Sequence, residues 1–144
     1  MADGRRELAN LAEVGQLRVE SGTREEIESL LSSGSERLVD ARREALSIEG
    51  RFDLAYNAAH ALSLAALRWH GYRSENRYLV FQVVPHTLGL PATVWRVLAK
   101  AHQVRNAGEY EGRFEADASL VESLIKAAEA VRAAVIALPP LKRR

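Results

Sequence analysis

Residues 52–70 read FDLAYNAAHALSLAALRWH, and the fold follows from how this stretch is read. Phe52, Ala55, Ala59, Leu62, Ala66 and Trp69 recur at helical spacing and form one apolar stripe. Leu54, Ala58, Ala61 and Ala65 widen that stripe almost to the full circumference. A helix that is apolar nearly all round must be covered on most sides, so it belongs in the middle of a bundle. Its alanines allow neighbouring backbones to come close. Asp53, Asn57, His60 and Ser63 or Leu64 mark the narrow polar side.

The flanking sequence supplies the covering helices. Leu8, Leu11, Ala12, Val14 and Leu17 predict an amphipathic helix over residues 5–20, broken by Ser21-Gly22. Thr23 and Glu26 have capping-box spacing: the hydroxyl caps a free N–H and the carboxylate reaches back to the Thr23 N–H. A second helix then carries Ile27, Leu30, Leu31, Leu38, Ala41, Ala45 and Ile48 up to Glu49-Gly50, with Gly34 as an internal weak point. Beyond Gly71 a helix is expected over 75–86, despite the strand-like composition of YLVFQVV, with Pro85 able to cut it early. Leu90-Pro91 opens the next helix, since proline is tolerated in a first turn. The last is expected from Phe114 to Leu138, stopped by Pro139-Pro140 and followed by a basic tail. The expectation is an all-α bundle of five to six helices, organised as N-terminal helices over 1–34, a bundle over 35–138 and a tail over 139–144.

Composition narrows the function. The 144 residues are 47% hydrophobic and 27% charged, which is globular rather than disordered. A net charge of +1 argues against a domain-wide field for nucleic acid, so any such site must be a local basic patch. With no cysteine there is no disulfide, zinc ribbon or thiol nucleophile. No run approaches the ~20 apolar residues of a membrane span, and the charged N-terminus is unlike a signal sequence. A soluble, cytoplasmic protein is expected. His60, His70, His86 and His102 are widely separated and form no metal-binding motif, so neither metal nor cofactor is expected. Dense charge, as in TREEIES and ERLVDARRE, reads as a solvated helix face.

Residues 101–114, AHQVRNAGEYEGRF, concentrate chemistry-bearing side chains. If the helix runs through them, His102, Arg105, Asn106 and Glu109 share one face. The plain reading is an i,i+4 ion pair between Arg105 and Glu109, worth ~0.2–0.5 kcal/mol, on a helix that ends at Gly108. The other is a site, with Asn57 and His60 from the central helix lining the same cleft.

ERLVDARREALSIEGRFDLAYNAAHALSLAALRWHGYR, followed by a helix ending in RNAGEY, resembles the HEPN (higher eukaryotes and prokaryotes nucleotide-binding) family over residues 35–138. The resemblance implies a HEPN-like bundle with an Arg-polar motif at Arg105-Asn106. In the family's ribonucleases a histidine follows a few positions later; here Tyr110 stands five residues after Arg105. What it implies is an RNA-directed protein, a metal-independent ribonuclease or toxin of a toxin–antitoxin or defence system. The partners it implies are a second copy of the chain in a homodimer, RNA, and a nucleotidyltransferase-type antitoxin. In that mechanism the RNA 2′-OH attacks the adjacent phosphorus. Arg105 holds the phosphoryl charge, Asn106 positions the 2′-OH or Arg105, and Tyr110 donates a hydrogen bond. Arg105, Asn57 and His60 would bind substrate. Tyrosine is a poor base at neutral pH, and Arg105 would lower the pKa of Glu109. His102 is the only local imidazole. The implied outcome is a retained RNA- or anion-binding cleft with weak or absent cleavage, and the alternative is a non-catalytic module binding nucleotide, RNA or a partner protein.

Overall fold

The computed structural model describes residues 2–112 and 116–141. Its elements, in chain order, are α1 (Ala2–Glu13), β1 (Arg18–Val19), α2 (Arg24–Ala41), α3 (Ile48–Trp69), β2 (Tyr72–Arg73), α4 (Arg77–Gln82), α5 (Val84–Leu88), α6 (Ala92–Glu111) and α7 (Ala118–Ile136). The architecture is an all-α bundle. Its only strands among the described residues are β1 and β2, a two-residue antiparallel clasp pairing Arg18 with Arg73 and Val19 with Tyr72. No helix among the described residues is long and apolar enough to cross a membrane.

Helix α3 is the axis, as its all-round apolar character predicts. Phe52, Ala55, Tyr56, Ala58, Ala59, Leu62, Ala65 and Ala66 are all fully buried, packed against α2, α6 and α7. Helices α2 and α3 come close at Gly34 of α2. A Cβ there would lie 2.6 Å from Leu62 Cγ and 3.3 Å from the Ala58 carbonyl oxygen. Gly34 is therefore a contact point, and α2 runs through it without a break. A second, smaller apolar cluster gathers Leu8 of α1, Leu17, Leu67 and Leu79, Val80 and Val83.

Several boundaries differ from the expected ones, each for a local reason. Helix α1 ends at Glu13, and Gly15 adopts a left-handed φ of 81° that lets the chain turn back into β1. Helix α2 stops at Ala41. Ser47 then caps α3, accepting a hydrogen bond from Gly50 N–H at 3.0 Å, so Glu49-Gly50 opens α3 and does not close α2. Arg51 seals the junction: its Nε–H donates to the Ala41 carbonyl at 2.8 Å and its other arm pairs with Glu122 of α7 at 2.9 Å. The expected 75–86 helix is divided in two at Val83, because Pro85 has no N–H to continue the ladder. Helix α6 passes through Gly108 to Glu111 and ends at Gly112, which has φ 68°. Helix α7 begins at Ala118, capped by Asp117; the expected start at Phe114 and the basic residues 142–144 lie outside the described residues. Ser63, expected on the polar side of α3, is fully buried, and its hydroxyl has no hydrogen-bond partner among the described residues.

Thr23 caps α2 as its spacing predicts, accepting from Glu26 N–H at 3.1 Å. The Glu26 carboxylate, however, is taken up by Arg68 and Arg73. Charge-assisted bonds outcompete the neutral N–H that a capping box would offer. Burial pushes the Glu26 carboxyl pKa up, but hydrogen bonds from the two guanidiniums outweigh it and hold the pKa below its ordinary value. Arg68 is only 2% exposed and satisfies the carbonyls of Glu20, Ser21 and Tyr72 as well as Glu26. This one side chain ties the β1–β2 clasp to the ends of α2 and α3.

Two stability outcomes follow from these contacts. Gly34→Ala gains ~1 kcal/mol of helix propensity, yet is expected to lower stability by a net ~1–3 kcal/mol because the new methyl must displace Leu62; an unchanged or raised urea midpoint would show that the α2–α3 gap relaxes freely. Arg68→Ala leaves three carbonyls and Glu26 short of a donor, and should cost ~3–5 kcal/mol in the same measurement.

Candidate functional site

The site is built on the polar edge of α3, where α4 and α6 pack beside it. Tyr56 is its floor. The ring is fully buried, stacked on Phe52 at 6.1 Å between centroids and edge-on to Phe81 at 5.5 Å. Two guanidiniums converge on it. Arg105 of α6 lies 5.0 Å from the ring centroid and Arg77 of α4 lies 5.8 Å from it, both within cation–π range.

The remaining polar groups are tied into this pair. Asn57 donates from Nδ2 to the Asp53 carbonyl at 2.9 Å, which leaves its Oδ1 to accept from Arg77 at 3.4 Å. His102 is held at both ring nitrogens, by the Tyr56 hydroxyl at Nδ1 and Asn106 Nδ2 at Nε2, each 3.1 Å away. With the amide nitrogen facing the ring, Nε2 accepts and the Nδ1 proton points at the Tyr56 oxygen. With the amide reversed, the Tyr56 O–H donates to Nδ1 and Nε2–H donates to Asn106. In both arrangements a neutral imidazole is satisfied. Arg105 also pairs with Glu109 at 3.0 Å, with side chains 29% and 49% exposed.

Electrostatically the cluster is positive. Burial, then the charges of Arg77 and Arg105, push His60 down to about 4. Burial and the same two arginines lower His102. Both imidazoles are thus neutral at pH 7. Burial raises the Tyr56 phenol, against the downward pull of Arg105 and Arg77, so it stays protonated. No carboxylate among the described residues lies within ion-pair range of Arg77. Two cations face one carboxylate, and that carboxylate is half exposed. Among the described residues, no group of three or more histidine, aspartate or glutamate side chains gathers to hold a metal ion.

The structure therefore brings together Asn57, His60, His102, Arg105, Asn106 and Glu109. The predicted i,i+4 pair between Arg105 and Glu109 is present, and it coexists with the cluster. Tyr110 is not part of it: its side chain is 79% exposed on the outer face of α6. Two members were not foreseen, Tyr56 and Arg77. Tyr56 had a signal, because Phe52, Tyr56 and His60 form an i,i+4 row of rings. Arg77 had none, since its partners lie at least 20 residues away in sequence.

The fold and the cluster define a class, a helical bundle in which two arginines and two imidazoles gather around a buried tyrosine. No known protein family, curated protein or solved structure matches the chain.

The depressed His60 pKa has a measurable consequence. The unfolded chain takes up this proton near pH 6.5 and the folded chain only near 4. Stability from His60 is thus complete above pH 6.5 and is lost as pH falls toward 4, by an amount on the order of 2–3 kcal/mol. Urea midpoints of the parent chain and His60→Gln, compared from pH 7 to pH 4, should converge by that amount; parallel profiles would show that His60 is not the group responsible.

Proposed function

We propose that the chain is a HEPN-like, RNA-directed module that grips a backbone phosphate between Arg77 and Arg105, with little or no cleavage activity of its own. The observation that carries this reading is the convergence of both guanidiniums on the buried Tyr56 ring, with Glu109 the one carboxylate paired to either among the described residues. Guanidinium forks match phosphate oxygens, and each adds a charge that cannot be titrated away. The HEPN resemblance supports it through the order of helices and the Arg105-Asn106 pair. It also supplies the biological setting within this reading: a toxin–antitoxin or defence system, a homodimer with the two 105–110 segments near its axis, and a nucleotidyltransferase-type partner.

Weak cleavage follows from the protonation states. A metal-independent 2′-OH attack needs a base near the sugar and an acid near the leaving oxygen. His60 has a pKa too low to be an efficient neutral-pH base. Tyr110, at the family's histidine position, points to solvent. His102 is unprotonated at neutral pH, but both its nitrogens are engaged by Tyr56 and Asn106. That imidazole favours a second reading, in which substrate displaces Asn106 and His102 takes the proton. Activity would then fall as pH drops below the ordinary histidine range.

The deciding experiment is fluorescence anisotropy with labelled mixed-sequence single-stranded RNA between about 50 and 200 mM salt. Arg77→Ala and Arg105→Ala should each weaken binding and flatten the log–log salt slope by ~0.7 for each phosphate that is no longer neutralised. Tyr110→Phe should change affinity by less than either. Unchanged affinity in both arginine variants would sink the phosphate-site reading. Chelator-treated protein that cleaves the same RNA, and loses that activity in His102→Ala, would replace the binding module by the ribonuclease.

A further inference from the structure

Beside the arginine cluster stands a ring that the phosphate reading does not use. Tyr78 follows Arg77 in the first turn of α4 and is 38% exposed, while Leu79, Val80 and Phe81 after it are buried. The ring is nonetheless held. Trp95 of α6 meets it at 5.3 Å between centroids with an interplanar angle of 75°, and His102 meets it at 5.4 Å and 59°. With two such contacts the side chain has little rotational freedom left to lose when something packs against it. Neither neighbour lies parallel to the ring, and among the described residues no ring stacks face to face on Tyr78. Tyr110 is the contrast: it is 79% exposed, and no ring among the described residues contacts it.

The position of Tyr78 relative to the guanidiniums gives it a chemical meaning. His102 contacts both tyrosines. Its ring is 5.4 Å from that of Tyr78 and 6.4 Å from that of Tyr56, over which Arg77 and Arg105 lie. An aromatic surface one imidazole away from a pair of guanidiniums matches the make-up of a nucleotide, whose flat base is joined to its phosphate through one sugar. Cations along the backbone combined with aromatic side chains under the bases bind single strands with little regard to sequence, because every base has a π face. A base paired within an RNA helix is stacked on its neighbours and is not free to present that face, whereas an unpaired one is.

Resting on the phosphate reading above, we infer that Tyr78 is a base-stacking residue: an unpaired RNA base lies on its ring while the adjoining phosphate is held by Arg77 and Arg105. The ligand is then single-stranded RNA of relaxed sequence, and affinity comes from the bases as well as from the backbone charge.

The test measures the anisotropy of two labelled strands titrated with the full chain. One is oligouridylate; the other is an abasic ribose-phosphate strand of the same length and charge. The unsubstituted chain should bind oligouridylate about ten-fold more tightly than the abasic strand. Tyr78→Leu, which keeps an apolar side chain against Trp95, should lose that preference with the salt slope unchanged, and Tyr78→Phe should keep it. Equal affinity of the unsubstituted chain for both strands, with Arg105→Ala still weakening each, overturns the stacking role and leaves the phosphate reading standing. Failure of both strands to bind overturns the two together. A preference that persists in Tyr78→Leu overturns the assignment to Tyr78. If Tyr78→Leu loses its helical circular dichroism, the Tyr78 ring resonances of the unsubstituted chain decide. A saturable shift with oligouridylate and none with the abasic strand supports stacking; the same response to both strands, or none to either, overturns it.

Discussion

The close approach of α2 and α3 at Gly34 is the constraint from which the rest of the bundle follows. Only a residue without a side chain fits where Leu62 and the Ala58 carbonyl come so near. The alanines of α3 extend that closeness along its length. With α2 on one side and α7 on another, α3 is buried on most of its circumference. The edge that remains carries Tyr56, Asn57 and His60, with α4 and α6 beside it. The arginine cluster is thus a by-product of how the centre packs: it sits on the polar edge of the central helix.

Arginine is used in two contrasting ways around this frame. Arg51 and Arg68 are buried and satisfied by backbone carbonyls and carboxylates. Their charges serve to join helix ends. Arg77 and Arg105 instead lie over an aromatic ring, and among the described residues only Arg105 has a carboxylate partner, the half-exposed Glu109. Such placement costs desolvation without full ionic compensation. That imbalance separates the Arg77–Arg105 pair from the pair whose charges join helix ends.

The all-α class and the central position of 52–70 were legible because hydrophobic periodicity reports burial directly. Local chemistry was legible as well, in the cap at Thr23 and the stop at Pro139-Pro140. What could not be read were features set by distant partners. Glu26 fits the capping-box spacing, but its carboxylate belongs to Arg68 and Arg73, more than 40 residues on. Ala45 and Ile48 continue the α2 stripe, but Ser47 restarts the helix and hands Ile48 to α3. At the site, the 102–109 face was visible because it lies on a single helix. Arg77 was not, because only the packing of α4 against α3 puts it over Tyr56. Tyr110, which a linear motif sets beside Arg105, lies on the outer face of α6.

The second apolar cluster, around Leu8, Leu17, Leu67 and Val80, is separate from the core that surrounds α3. Helix α1 is anchored there, through the clasp that Arg68 holds, and packs on α5. A structure with two such centres has two levels of local stability. Amides in the middle of α3 are then expected to exchange with solvent only when the whole bundle opens, and those of α1 whenever the smaller cluster parts. The first twenty or so residues are then a cooperative unit of their own. Leu79 and Val80 of that cluster belong to α4, the helix that carries Arg77, so the docking of the N-terminal segment bears on how Arg77 is seated.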